Sequence, residues 1–230
     1  MVHPLWSTHD QTGRLAELTA STSDAAKELP LRRDVRSLGK LLGRVLVEQE
    51  GEHLLEVVEE LRRLLIKHRE QWESDSSDGG QMAKAIKIVK ALDVEDAHRV
   101  TKAFAIYFEL TNLAETNHRK RRRRAGKLHS DQPSLAGSFR GTLRRLQAAG
   151  LNAKDALAAL QKTRVIPVIT AHPTEVARRT VLLKRRRIAR FLENLDHLPL
   201  SSPDAQEQEF AIASEITALW QTDEVRVESP

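Results

Sequence analysis

The sequence predicts a mostly α-helical chain carrying a single β-strand. Two patterns predict this. Aliphatic residues recur at three- and four-residue spacing over most of the length, as one face of a helix requires. Only one short apolar run, Arg164 to Thr170, lacks that period, and it stops abruptly at His172-Pro173. Composition agrees. Hydrophobic residues make up 40% of the 230 positions but aromatics only 4%, so the core must be built from Leu, Val, Ile and Ala, which suit helices.

Residues 1–30 mix Ser, Thr, Pro and charges with weak periodicity and read as a loosely ordered lead-in with room for one short helix. From Asp34 the pattern is helical: Val35, Leu38, Leu41, Leu42, Val45 and Leu46 fall on one stripe. Gly39 and Gly43 lie one turn apart and suit close helix packing. Leu54, Leu55, Val58, Leu61 and Leu65 mark a second long helix ending near Trp72, and Ser74 to Gly80 forms a break. Helices at 81–91 and 94–118 follow, the second apolar on most sides. Ala125 to Ser138 reads as a connector. Helices near 139–149 and 153–162 lead into the strand, and helices near 174–195 and 204–222 come after it, separated by a Pro-bearing turn. Three regions result: the lead-in at 1–30, a helical region at 31–162, and the strand with its following helices at 163–230. A lone strand leaves its backbone donors and acceptors without neighbours, so its sheet is expected outside this sequence.

Bulk properties narrow the function. The chain has no cysteine, which removes disulfides and thiolate metal sites and suits a reducing cytoplasm. No apolar run approaches the roughly 20 residues of a membrane span, and the first residues do not form a secretory signal. The net charge of +5 favours anionic partners without choosing among them.

The chemistry concentrates at the strand–helix junction. Pro173 suits the first turn of a helix, where its missing N–H costs nothing. His172 then sits at or just before the helix N-cap, where the positive end of the helix dipole favours neutral imidazole, able to take or share a proton near neutral pH. Free helix N–H groups with the Thr174 hydroxyl suit an anion. Arg178 and Arg179 offer guanidinium groups for phosphate or carboxylate, and helical spacing points them to different faces.

Every position from Val168 to Arg179 agrees with the histidine signature of phosphoenolpyruvate carboxylases, which this stretch resembles. The resemblance extends to Val35-Arg36-Ser37-Leu38-Gly39, Val47 to Gly51, Ala103 to Phe108, Asn112 to Glu115, His118-Arg119, and Leu219 to Arg226. It covers roughly residues 31–230, about the first quarter of such an enzyme. Several things are implied by it alone. The parent fold would be a (β/α)8 TIM-type barrel enlarged by many helices, with Arg164 to Thr170 as first barrel strand. The reaction would join phosphoenolpyruvate and bicarbonate, through carboxyphosphate and an enolate, to give oxaloacetate and phosphate, with Mg²⁺ or Mn²⁺ as cofactor. His172 would be the catalytic histidine, with Thr174, Arg178 and Arg179 as substrate-binding candidates. The enzyme would be a cytoplasmic homotetramer. Metal carboxylates, a catalytic lysine and a glycine-rich phosphate loop belong to later parts of the family's sequence, so the 230 residues are expected to be inactive alone.

Two other readings compete. The run Arg119-Lys120-Arg121-Arg122-Arg123-Arg124 would serve a basic interaction module, but it lacks interleaved aromatics and reads as a solvated turn, which makes nucleic acid an unlikely partner. His172 would also suit a phosphohistidine carrier. Asp223-Glu224 is a weak metal pair, since adjacent helical side chains diverge.

Overall fold

The computed structural model describes residues 5–6, 9–19, 24–73, 80–128, 138–168 and 178–222. These form α1 (Gln11–Thr19), α2 (Asp24–Glu50), α3 (Glu52–Glu73), α4 (Gln81–Ala91), α5 (Val94–Leu128), α6 (Phe139–Ala148), α7 (Ala153–Lys162), α8 (Arg179–Asn194) and α9 (Ser202–Trp220).

Local chemistry sets the helix starts. Asp93 accepts the Asp96 amide at 2.8 Å before α5, Asn152 the Asp155 amide at 2.9 Å before α7, and Ser201 the Asp204 amide at 3.2 Å before α9. Gly51 separates α2 from α3 with φ +86°, a backbone conformation that other L-residues adopt only at a cost. Its amide still reaches Val47 O at 3.0 Å, so the chain reverses without losing that bond.

The core is aliphatic. α2 supplies Leu38, Leu41, Leu42, Val45 and Leu46; α5 supplies Val100, Ala103, Ile106, Leu110 and Ala114. α3 covers both with Leu54, Val58 and Leu61. α8 and α9 pair through Ile188, Leu192, Ile212 and Ile216 and close over α5 and α2. Each fully buried Leu or Ile contributes roughly 1.5–3 kcal/mol by leaving water. α1 lies on α5 and α2, while α6 and α7 make their principal contact with each other.

Three expectations need revision. The strand at Arg164–Thr170 does not form among the described residues. Residues 164–168 have no regular structure, and Val165, Ile166 and Val168 are 89%, 79% and 81% exposed; residues 169 and 170 lie outside the described residues. A strand needs a neighbouring strand for its backbone groups, and the described residues supply none. The described residues are helical and irregular only, so neither a barrel strand nor any other element of a (β/α)8 TIM-type barrel is present, and the mixed fold class gives way to an all-helical one. Next, α5 does not stop near residue 118 but continues to Leu128, about 52 Å in all at 1.5 Å per residue. The basic run Arg119–Arg124 therefore lies on a helix and not in a turn. Finally, α2 begins at Asp24 and carries Pro30 inside it, starting before the expected Asp34.

Candidate functional site

The signature segment ends at the start of α8. His172 and Thr174 lie outside the described residues, as do Asp223 and Glu224. Arg178 and Arg179 are described. Arg178 is the N-cap of α8, with φ −59° and ψ 139°, and its carbonyl accepts the Leu182 amide at 3.2 Å. The helix begins there because Val181, Ile188 and Leu192 form a buried stripe facing the bundle. Arg178 is half-buried and Arg179 exposed. No acidic residue occupies the first turn of α8. Within that turn no carboxylate offsets the positive end of the helix dipole.

α8 is fixed by charge as well as by packing. Arg185 pairs with Glu109 of α5, and Lys184 and Arg187 reach Glu215 of α9 at 3.8 and 2.9 Å. At its other end Glu193 binds Lys120 at 3.1 Å and also Arg124. The hydrogen bond from Lys120 holds the Glu193 carboxyl below its ordinary range; burial opposes it, and the Arg124 hydrogen bond adds to the lowering. The basic run is thus partly consumed within the fold: Arg119 pairs with Glu115, Lys120 and Arg124 with Glu193, and Arg121 is buried.

Arg121 belongs to a buried charge network. Its Nε donates to Asp196 at 2.6 Å and its Nη2 to Asp34. Asn117 donates to Asp196 at 3.0 Å, and Arg14 lies 3.8 Å from Asp196 and donates to Leu195 O at 2.7 Å. Asp34 also accepts the Trp6 indole N–H at 2.8 Å. Two arginines face two aspartates, so the cluster is neutral. Burial pushes the Asp34 carboxyl up, and Arg121 and the indole pull it back. The Trp6 amide donates to buried Glu209 at 3.1 Å, where burial likewise raises the carboxyl against that bond. Gln11 exchanges two hydrogen bonds with the Leu200 backbone, at 2.7 and 3.0 Å. Trp6, Gln11 and Arg14 therefore tie α2 to α9 and to the α8–α9 turn.

This network escaped the sequence reading, although a signal was present. Asp34 sits one turn before Leu38 on the α2 stripe. The α5 stripe Ala103, Ile106, Leu110, Ala114 continues at the same spacing through Asn117, Arg121 and Ala125, all buried. Polar residues in register with a core stripe are the mark of a buried network.

Distant segments that carried the resemblance meet in space. Trp220 donates its indole N–H to Glu50 at 2.8 Å, and Gln221 donates to Gln49 at 2.8 Å. Arg99 pairs with Glu50 at 3.1 Å, and Lys102 stands 5.5 Å over the Trp220 ring. These residues tie the end of α9 to the end of α2. They support the fold and lie outside the signature.

The described residues do not fit a resident divalent cation: no three His, Asp or Glu side chains converge among them. Nor does any helix among them have the length and apolarity to cross a membrane.

Comparison with known proteins matches residues 31–230 to the phosphoenolpyruvate carboxylase family model. A phosphoenolpyruvate carboxylase of Ralstonia nicotianae is 36% identical over 205 residues, covering 88% of this chain and 20% of that protein. That of Burkholderia vietnamiensis is 36% identical over 197 residues, covering 85% and 19%. That of Nitrosomonas eutropha is 35% identical over 196 residues, covering 85% and 20%. The matched part of the chain thus spans about a fifth of the length of these relatives. By the match over residues 31–230, the chain belongs to the phosphoenolpyruvate carboxylase family.

Proposed function

We propose that these residues are the N-terminal part of an enzyme that carboxylates phosphoenolpyruvate with bicarbonate, yielding oxaloacetate and inorganic phosphate. The observation that carries this is the family match over residues 31–230, which includes the whole signature from Val168 to Arg179. In this proposal the phosphoryl group of phosphoenolpyruvate passes to bicarbonate, leaving an enolate. The resulting carboxyphosphate breaks to phosphate and CO₂, and the enolate carbon attacks the CO₂. His172 acts on carboxyphosphate and its proton as a neutral imidazole. Thr174, Arg178 and Arg179 bind the anionic reactants. The electropositive start of α8, with its half-buried Arg178, supports this assignment.

Mg²⁺ or Mn²⁺ serves the reaction, with ligands outside the described residues. The working enzyme is a cytoplasmic homotetramer, and the cysteine-free composition suits that compartment. The 230 residues alone are inactive, because His172 lacks the groups it works with. Two measurements test the proposal. The purified chain should form no bicarbonate-dependent oxaloacetate. Joined to the rest of a carboxylase, His172→Asn should abolish carboxylation while circular dichroism stays unchanged. Turnover by the isolated chain, or near-normal turnover of the variant, counts against it.

A further inference from the structure

A groove of about 1150 Å³ runs along α2 where it meets α3 and α5. Its floor follows Leu31, Val35, Gly39, Gly43 and Val47, each one turn beyond the last. Leu55, Val58, Phe104 and Tyr107 form the facing wall. From Leu31 to Glu48 the groove spans about 25 Å at the helical rise of 1.5 Å per residue. Such a length exceeds a metabolite and matches a helix of about five turns. The two glycines lower the middle of the floor: a Cβ on Gly39 would meet only Tyr107 at 3.6 Å, and one on Gly43 only Leu55 at 3.5 Å.

One lip is basic. Arg32, Arg36, Lys40 and Arg44 stand one turn apart beside the apolar floor, all exposed. Arg32 pairs with Glu28, and Arg44 lies within electrostatic range of Glu209. Arg36 and Lys40 form no ion pair among the described residues. Of the two carboxylates at the groove, Glu59 is already bound by Arg62 at 2.7 Å, and Glu48 sits at the far end of the ladder. An occupant must therefore be apolar on one side and acidic along one edge. α2, α3, α5, α8 and α9 have their apolar faces in the core, and the less buried α6 and α7 carry Arg140, Arg144, Arg145, Lys154 and Lys162 against one acid, Asp155, so neither presents the acidic edge that would favour a second copy. The matched residues make up only 20% and 19% of the relatives' length, and one polypeptide supplies many helices at high effective concentration.

We propose that this groove docks an acidic amphipathic helix from the remainder of the carboxylase polypeptide. The assignment rests on family membership and the groove, and not on the catalytic reading, so the test reads binding alone.

The experiment uses the 230-residue chain and two designed 18-residue peptides. Both carry leucines on one helical face; one has glutamates along the flank, the other lysines. The glutamate peptide should bind, with affinity falling as salt rises, and the lysine peptide should bind at least tenfold more weakly. Arg36→Glu with Lys40→Glu, both exposed and expected to leave the fold intact, should reverse that preference. In overlapping peptides covering the Ralstonia nicotianae carboxylase beyond the matched region, the binders should be acidic and amphipathic, and the glutamate peptide should displace them. Equal binding of the two designed peptides overturns the proposal. So does the absence of any binder among the carboxylase peptides. Binding to phosphatidylserine vesicles with the same dependence on Arg36 and Lys40 but no peptide preference would assign the groove to a membrane surface instead. Self-association blocked by the double variant would assign it to a second copy.

Discussion

Arg121 carries the largest single-residue consequence in this fold. It is almost fully buried and answers two buried aspartates. Arg121→Met should leave Asp34 and Asp196 uncompensated and lower stability by about 3–5 kcal/mol, measured by urea unfolding. A loss below 1 kcal/mol would mean that water already reaches the cluster. His118, one turn earlier on α5, is half-buried, and burial lowers its pKa from 6.5, helped by Arg121 and Arg122 and opposed by Glu28 and Asp196. A histidine that binds its proton less readily when folded contributes stability that is present above 6.5 and lost as pH falls through its depressed value. The melting temperature should therefore drop between about pH 7.5 and pH 5.5, and His118→Gln should flatten that part of the profile. An unchanged slope in the variant would assign the drop to another histidine. At this scale the sequence was least legible. Arg121 looked like one of six similar cations, and only its register with the α5 core stripe set it apart.

Elements were far more legible, because each helix carries its own aliphatic period. The helices at Gln81–Ala91 and Ala153–Lys162 match the expected bounds. The end of α5 was misplaced because charge obscured a stripe that continues beneath it. The strand was misplaced for another reason. An apolar run before His-Pro has the local look of a strand, but pairing is non-local, and 164–168 find no partner among the described residues. Gly51 marks a boundary where a backbone angle decides the element, as Gly80 and Gly150 do elsewhere. Gly51→Ala should cost about 1 kcal/mol by forcing a Cβ into the left-handed region. Chemical denaturation would show this as a lower midpoint with unchanged slope; a neutral result would show that α2 and α3 can be joined by another turn.

The molecule as a whole is unevenly consolidated. α2, α3, α5, α8 and α9 share one core, whereas α7 buries no residue and α6 buries only Gly141. Local stability follows buried apolar contact, so brief trypsin treatment should cut at Lys162 or Arg164 before any site in α8. Mass spectrometry of early products would check this, and first cleavage within α8 would contradict it. Family membership was legible from sequence because it rests on contiguous residues such as Val168 to Arg179 and Val47 to Gly51. The groove was not, because it is made by three helices whose mutual placement no local pattern encodes.

The N-terminal contacts have a consequence for the order of events in synthesis. Trp6 and its acceptor Glu209 are 203 positions apart, and Gln11 and Leu200 are 189 apart. Trp6 and Gln11 leave the ribosome well before the residues they bind, and they must wait for α9 to emerge. Closing so long a loop is slow compared with forming helix pairs of adjacent sequence. In the interval the indole of Trp6 and the carboxylate of Asp34 remain in water. The nascent chain thus gathers its helices first and receives its clasp last, from residues made long before the ones they join.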